Sequence, residues 1–125
     1  MIKISTIISD AWQNRKGPAI FTTVNTDGMP NSIYVTCISL YKEDTILIAN
    51  NFFNKTLENI LTTTKASILF ITHNDTAYQL KGTPIYYTEG EFFNDMKKWN
   101  PKKHPGHGVV VFKIVEIYEG AKKLL

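Results

Sequence analysis

The sequence is short of the residues that announce chemistry most directly. It has one cysteine, Cys37, so no intrachain disulfide can form, and a reducing compartment is expected. Cys37 sits in an apolar run and reads as a small core residue. There is one arginine, Arg15. No run approaches the roughly 20 apolar residues that cross a bilayer, and Met1 to Ser5 lead into no apolar stretch with a cleavage site. A cytoplasmic protein without membrane association is the expectation. No G-x-G-x-x-G, Walker loop or nucleophile elbow is present, so dinucleotide, P-loop and serine-hydrolase sites are not offered. His73, His104 and His107 lack carboxylate or cysteine partners at ligand spacing, so no metal site is assigned. A pair such as His104-x-x-His107 in a Pro/Gly loop reads as surface imidazoles.

What is present is ordinary globular material. At 125 residues, with 43% hydrophobic and 20% charged, the chain fits one domain over 1–125. The net charge of +3 comes from lysines interspersed with acids, which is not the footprint of a nucleic-acid binder. Lys97-Lys98 and Lys102-Lys103 form a denser local run, read as a solvated face.

Patterning gives the order of elements. Ser5 is a candidate N-cap, with Ile7, Ile8, Ala11 and Trp12 at helical spacing and Lys16-Gly17-Pro18 as the stop. Residues 18–26 form a strand, Asp27-Gly28 a hairpin turn, and 31–41 the returning strand. A third strand spans 45–50. Leu57, Ile60 and Leu61 then mark the buried face of a short helix over 54–63. Residues 66–72 are nearly all apolar and predict a central strand. Residues 77–88 predict a long strand with Gly82 and Pro84 inside, hence a bulge and an edge position. Residues 89–99 predict a helix, with Phe92, Met96 and Trp99 on one face, and 109–118 the last strand. The result is mainly β: a six-stranded, mostly antiparallel barrel with a few short helices.

The chemistry centres on ILIANNFFNKT, residues 46–56, followed by LENIL. A buried strand runs into Asn50-Asn51, crosses a short loop and enters a helix at Lys55-Thr56. The first N–H groups of a helix have no internal partner and sit at its positive end. A lysine ammonium and a threonine hydroxyl there make an anion site suited to a phosphate monoester. The plain alternative is that Asn54 or Thr56 caps the helix while Lys55 points to water. A phosphate site without evident acid, base or nucleophile suits a protein whose reactive group is a cofactor.

In the order of these pieces the chain resembles the pyridoxamine-phosphate-oxidase-like FMN-binding split barrels, particularly their small FMN-binding and flavoredoxin-like members. The similar stretches are T-x-N-x-D-G-x-P-N-S from Thr23 to Ser32, A-N-N-F-F-N-K-T-L-E-N-I, and the closing G-V-V-V-F-K-I-V-E-I-Y. The resemblance implies a split barrel binding FMN at a homodimer interface. It implies that Lys55 and Thr56 hold the phosphate, and that Ser32, Ile33 and Tyr34 run beside the ring and ribityl chain. Ala49, Asn50 and Asn51 would approach the ring through their backbone, and Trp99 or the loop through His107 would reach the partner's cofactor. Electron carriage or a flavin-dependent oxidoreductase activity follows, with the redox partner protein or nicotinamide donor left open and no catalytic side chain assigned. Two features depart from the family. Several relatives place arginines near the phosphate, whereas Arg15 lies by the first helix, and no counterpart of a pyridoxamine-phosphate site stands near the C-terminus.

Two rivals remain. Related barrels bind haem or a deazaflavin, with His107 available as an axial imidazole. A small barrel that binds single-stranded nucleic acid would use aromatics and lysines too, but here the aromatics alternate into apolar strand positions.

Overall fold

The computed structural model describes residues 4–125, with side chains from residue 6 onward. Helix α1 (Ile4–Gln13) is already formed at Ile4, so Ser5 lies within it rather than at its start. It buries Ile8, Ala11 and Trp12, the expected 3–4 spacing. Strands β1 (Ala19–Val24) and β2 (Pro30–Val35) form the hairpin about Asp27-Gly28, where Gly28 takes φ of 84°. Then come β3 (Ile38–Lys42), β4 (Thr45–Asn50), α2 (Lys55–Thr62), β5 (Ala66–Ile71), β6 (Ala77–Tyr87), α3 (Glu91–Trp99), β7 (Gly108–Glu119) and β8 (Lys122–Lys123).

All pairings are antiparallel, in the order β2-β1-β5-β6-β7-β4-β3, with β8 added to β7. The two ends of that path, β2 and β3, are consecutive in sequence and joined only by Thr36-Cys37. The sheet therefore has to curl until its ends meet at that link. Val35 and Ile38, on either side of it, point into one buried cluster with Phe21, Ile68, Leu80 and Phe112. Phe21 and Phe112 meet edge-on inside, 6.4 Å apart. Truncating either to alanine would cost about 3–5 kcal/mol. A second cluster, Leu47, Ala49, Met96, Val109 and Val111, lies where α3 covers the outside of β4 and β7.

Several expectations need correction. The barrel has eight strands rather than six. Residues 31–41 are two strands because the chain changes neighbours at Thr36-Cys37, and the short Lys122–Lys123 strand carries no pattern of its own. β6 is not an edge strand as a whole. Its first half pairs with both β5 and β7, but the β5 ladder ends at Gly82, so Pro84 pairs only with Phe112 on β7. The missing N–H is lost on the open side. The bulge does fall at Lys81/Gly82. A Cβ on Gly82 would stand 2.0 Å from the Lys113 carbonyl oxygen, so the close approach requires glycine. β5 is interior as expected, yet one of its faces leaves Leu69 and Ile71 exposed. Finally, α2 is rotated from its apolar reading: Thr56, Asn59 and Ile60 are buried, and Leu61 is exposed. Hydrogen bonds account for the polar face. Asn59 Nδ2 donates to the Thr23 hydroxyl at 3.0 Å, and the Thr63 hydroxyl to the Val24 carbonyl at 3.0 Å.

Candidate functional site

The segment after β4 divides into two parts with opposite hydrogen-bonding character. Asn50 and Asn51 are buried and fully engaged by protein. Asn50 Nδ2 donates to the Tyr86 hydroxyl at 2.8 Å, and its Oδ1 accepts from the Phe53 N–H at 2.9 Å. Tyr86 reaches it across Gly108, where a Cβ would collide with the phenol at 2.2 Å. Asn51 and Asn100 exchange two amide hydrogen bonds of 3.0 and 2.9 Å, and Asn51 Oδ1 also accepts the Gly106 N–H. This clasp, with the His107 N–H donating to the Asn50 carbonyl, pins the α3–β7 connection against the end of β4.

The second part is open. Asn54 gives α2 no side-chain cap, so the first N–H groups of the helix are left for another acceptor. The Thr56 hydroxyl is buried and accepts from Asn31 Nδ2 at 3.1 Å, which ties the helix start to β2. Lys55 borders a hollow of about 210 Å³ with Asn25, Met29, Pro30, Asn31, Glu58 and Asn59. Its ammonium lies 3.4 Å from the Glu58 carboxylate, and both side chains are largely exposed. Such a pair is worth at most about 1 kcal/mol, so an arriving anion can take Lys55 from Glu58.

Along the same strand, a cleft of about 320 Å³ opens at the seam where the sheet ends meet. It is lined by Ile33, Tyr34, Val35, Thr36, Cys37, Ala49, Asn51, Phe52, Phe53 and His104. The cleft and the Lys55 hollow flank opposite ends of β2, whose run from Asn31 to Thr36 covers about 17 Å at ~3.3 Å per residue. Four expected residues, Ile33, Tyr34, Ala49 and Asn51, line this cleft, while Lys55 stands at the hollow and Thr56 at the bond to Asn31 beside it. Ser32 faces outward, bonded to the Thr22 hydroxyl at 2.8 Å. Asn50 turns its side chain away, toward Tyr86. Trp99 lies outside the cleft: its indole N–H donates to Asp95 at 3.1 Å, and its ring packs on the α3 side of β4 and β7.

The sequence reading missed His104, which meets Phe52 edge-on at 5.7 Å at the cleft. His107, two residues past Pro105, is exposed instead. The Asn51–Asn100 clasp and the bonds from the Gly106 and His107 N–H groups fix this connection, and a pairing 49 residues long leaves no local signal. Arg15 lines neither opening. Its guanidinium lies 4.1 Å over the Trp12 ring, where burial pushes its pKa down. A hollow of about 430 Å³, larger than either opening, lies elsewhere, on the outer face among Thr22, Ser67, Gln79, Lys81 and Val115. No helix N-terminus borders it, so the smaller pair of openings is the better candidate for an anionic ligand. Among the described residues, no cluster of His, Cys, Asp or Glu could hold a metal ion, and no helix is long and apolar enough to cross a membrane.

Comparison with known proteins agrees with this architecture. An uncharacterised protein of Methanocaldococcus jannaschii is 39% identical over 101 residues, covering 77% of this chain and 68% of that protein. HupZ of Group A Streptococcus superposes with a TM-score of 0.81 at 25% identity, over 95% of this chain and 94% of that one. An FMN-binding protein from Syntrophomonas wolfei does so with a TM-score of 0.74 at 25% identity, over 93% and 82%. HutZ, the haem storage protein of Vibrio cholerae, shares the fold with a TM-score of 0.67 at 11% identity, over 94% and 95%. The pyridoxamine 5'-phosphate oxidase family matches residues 9–120, nearly the whole described chain, and the protein belongs to that family.

Proposed function

We propose that the protein is an FMN-binding flavoprotein, working as an electron carrier or a flavin-dependent oxidoreductase. The observation that carries this reading is the placement of two openings along one strand. An uncapped helix N-terminus with Lys55 and Thr56 lies at one end of β2, and an apolar, aromatic-edged cleft at the other. A phosphate monoester joined by a chain to a flat ring matches that layout. The Syntrophomonas wolfei FMN-binding protein supports it at the level of the whole fold.

In this reading each residue has a stated task. Lys55 leaves Glu58 and neutralises the phosphate, while the α2 N–H groups donate to its oxygens; such charge-assisted bonds are worth about 1.5–3 kcal/mol each. Asn31 keeps Thr56 in place for the same oxygens. Ile33 and Tyr34 follow the ring edge and Ser32 offers only its backbone beside the ribityl chain, its hydroxyl staying on Thr22, with Ala49, Asn50 and Asn51 offering backbone and Phe52 and Phe53 the apolar walls that exclude water. Bound FMN would supply the electron chemistry, and the protein would tune it through nearby donors. A second copy would complete the site as a homodimer. The exposed apolar row of Leu69, Ile71, Ile85, Tyr87 and Val115 on the outer sheet face suits such a contact, and Trp99 would approach the cofactor only from that second subunit.

One observation favours a second reading. His104 presents an imidazole to the cleft, and an iron porphyrin would use it as a ligand in place of His107. The absorbance spectrum of the purified protein, alone, with added FMN and with added haemin, separates the two. Shifted flavin bands that bleach with a reductant support the FMN reading, a Soret band lost in His104→Ala supports the haem one, and no response to either sinks both.

A further inference from the structure

We infer that the last turn of α3 together with its connection to β7, residues 97–107, is the docking surface for an acidic electron-carrier protein; what that partner does there rests on the flavoprotein reading. Three observations converge on this segment. The first is charge. It carries four lysines, two histidines and no acid, while the remaining chain holds ten basic and eleven acidic residues. The protein's net positive charge is thus concentrated in eleven residues.

The second is that these lysines form no ion pair among the described residues. The ion pairs among the described residues occupy Lys16, Lys55, Lys113 and Lys123, on other parts of the surface. Within the segment, Lys97 is tied to the Pro105 carbonyl at 3.0 Å and lies 5.2 Å from the Phe93 ring centre. Lys98, Lys102 and Lys103 extend into solvent and line none of the hollows described above. The nearest acid in sequence, Asp95, accepts the Trp99 indole N–H.

The third is rigidity and position. The Asn51–Asn100 clasp, the Gly106 bond to Asn51 and the His104 N–H to the Pro101 carbonyl fix the connection without a partner. Docking then costs little ordering entropy. His104, from the same connection, lines the cleft. A partner drawn to these lysines is brought to the cofactor's mouth, where a reduced carrier gives up one electron and the bound cofactor takes up one. Exposed lysines that line none of these hollows suit a broad acidic protein surface better than a small polyphosphate, and such fields raise encounter rates by about 10- to 1,000-fold at low salt.

The test is a titration of the isotope-labelled protein with a ferredoxin of strong negative charge, followed by amide NMR shifts. Shifts should centre on Lys97 to Gly108. Affinity should fall at least about tenfold between ~0.1 M and ~1 M salt, where the screening length drops from ~10 to ~3 Å. Lys102→Glu/Lys103→Glu should abolish the shifts, whereas Lys42→Glu/Lys122→Glu, the same change in charge elsewhere, should leave them. Shifts centred on the outer face of β5 and β6, no shifts, or equal loss in both variants would overturn the inference. So would stronger salt-sensitive shifts at the same amides from NADPH or a single-stranded oligonucleotide. None of these readouts needs flavin. Docking by a protein that takes up no FMN would therefore retire the flavoprotein reading and leave the docking surface standing.

Discussion

Asn50-Asn51 and Lys55-Thr56 are separated by three residues, Phe52 to Asn54, and the protein treats the asparagines and Lys55 oppositely. The asparagines, polar and buried, spend their side-chain amides on Tyr86, Phe53, Asn100 and Gly106. The helix start beyond them is left with unclaimed donors and an ammonium held only by an exposed glutamate. Burial forces a polar group to find protein partners, because an unsatisfied one costs about 1–3 kcal/mol. Donors at the surface can wait for a ligand. The first pair builds the seam; beyond it Thr56 is also buried and bonded to Asn31, and the spare capacity lies with Lys55 and the helix N–H groups.

Asn51→Ala gives the strongest break of this contrast. It strips Asn100 and the Gly106 N–H of their partners and should cost about 3 kcal/mol in denaturant unfolding. It should also release His104 from the cleft, seen as a changed imidazole environment by NMR. Lys55→Ala should do the reverse. Stability should move by less than about 0.5 kcal/mol, while FMN binding, followed by fluorescence quenching, weakens at least about tenfold. Equal FMN affinity in the variant and the parent would remove Lys55 from the site.

The two halves were not equally legible in the sequence. Asp27-Gly28, the α3 charge pattern and the strand entering Asn50 announce themselves locally. So does Lys55-Thr56, because a helix start is a local event. Asn50 and Asn51 look like turn residues until Tyr86 and Asn100 arrive from 36 and 49 positions away. The same holds for the α2 face. Leu57, Ile60 and Leu61 set an apolar period, but the bonds from Asn31 to Thr56 and from Asn59 to Thr23 turn the helix, and only the partner strands reveal them. The break at Thr36-Cys37 is hidden for a related reason. Both flanking residues, Val35 and Ile38, remain buried and β-compatible, so the pattern runs on while the chain changes sheet ends.

A smaller effect sharpens the open half. Glu58→Gln removes the carboxylate that competes for Lys55 and should tighten FMN binding a few-fold, within the ~1 kcal/mol such exposed pairs contribute. Calorimetric titration of parent and variant checks it. The smallest effect serves as a control far from the site. The Tyr118 hydroxyl, then Lys123, hold the Glu116 carboxyl below its ordinary range. A depressed carboxyl contributes stability that is present above its unfolded value and lost as pH falls through the folded one. Glu116→Gln should therefore make the acid side of the stability curve slightly shallower, measured by unfolding between neutral and acidic pH, and leave FMN affinity unchanged.

The most direct measurement is a paired titration of the purified protein with FMN and with riboflavin, which differ only by the phosphate. The account predicts saturating binding of one FMN per chain and riboflavin affinity at least about tenfold weaker, with the difference erased in Lys55→Ala. Equal binding of the two flavins, or of neither, would contradict the assignment of the α2 N-terminus as a phosphate site.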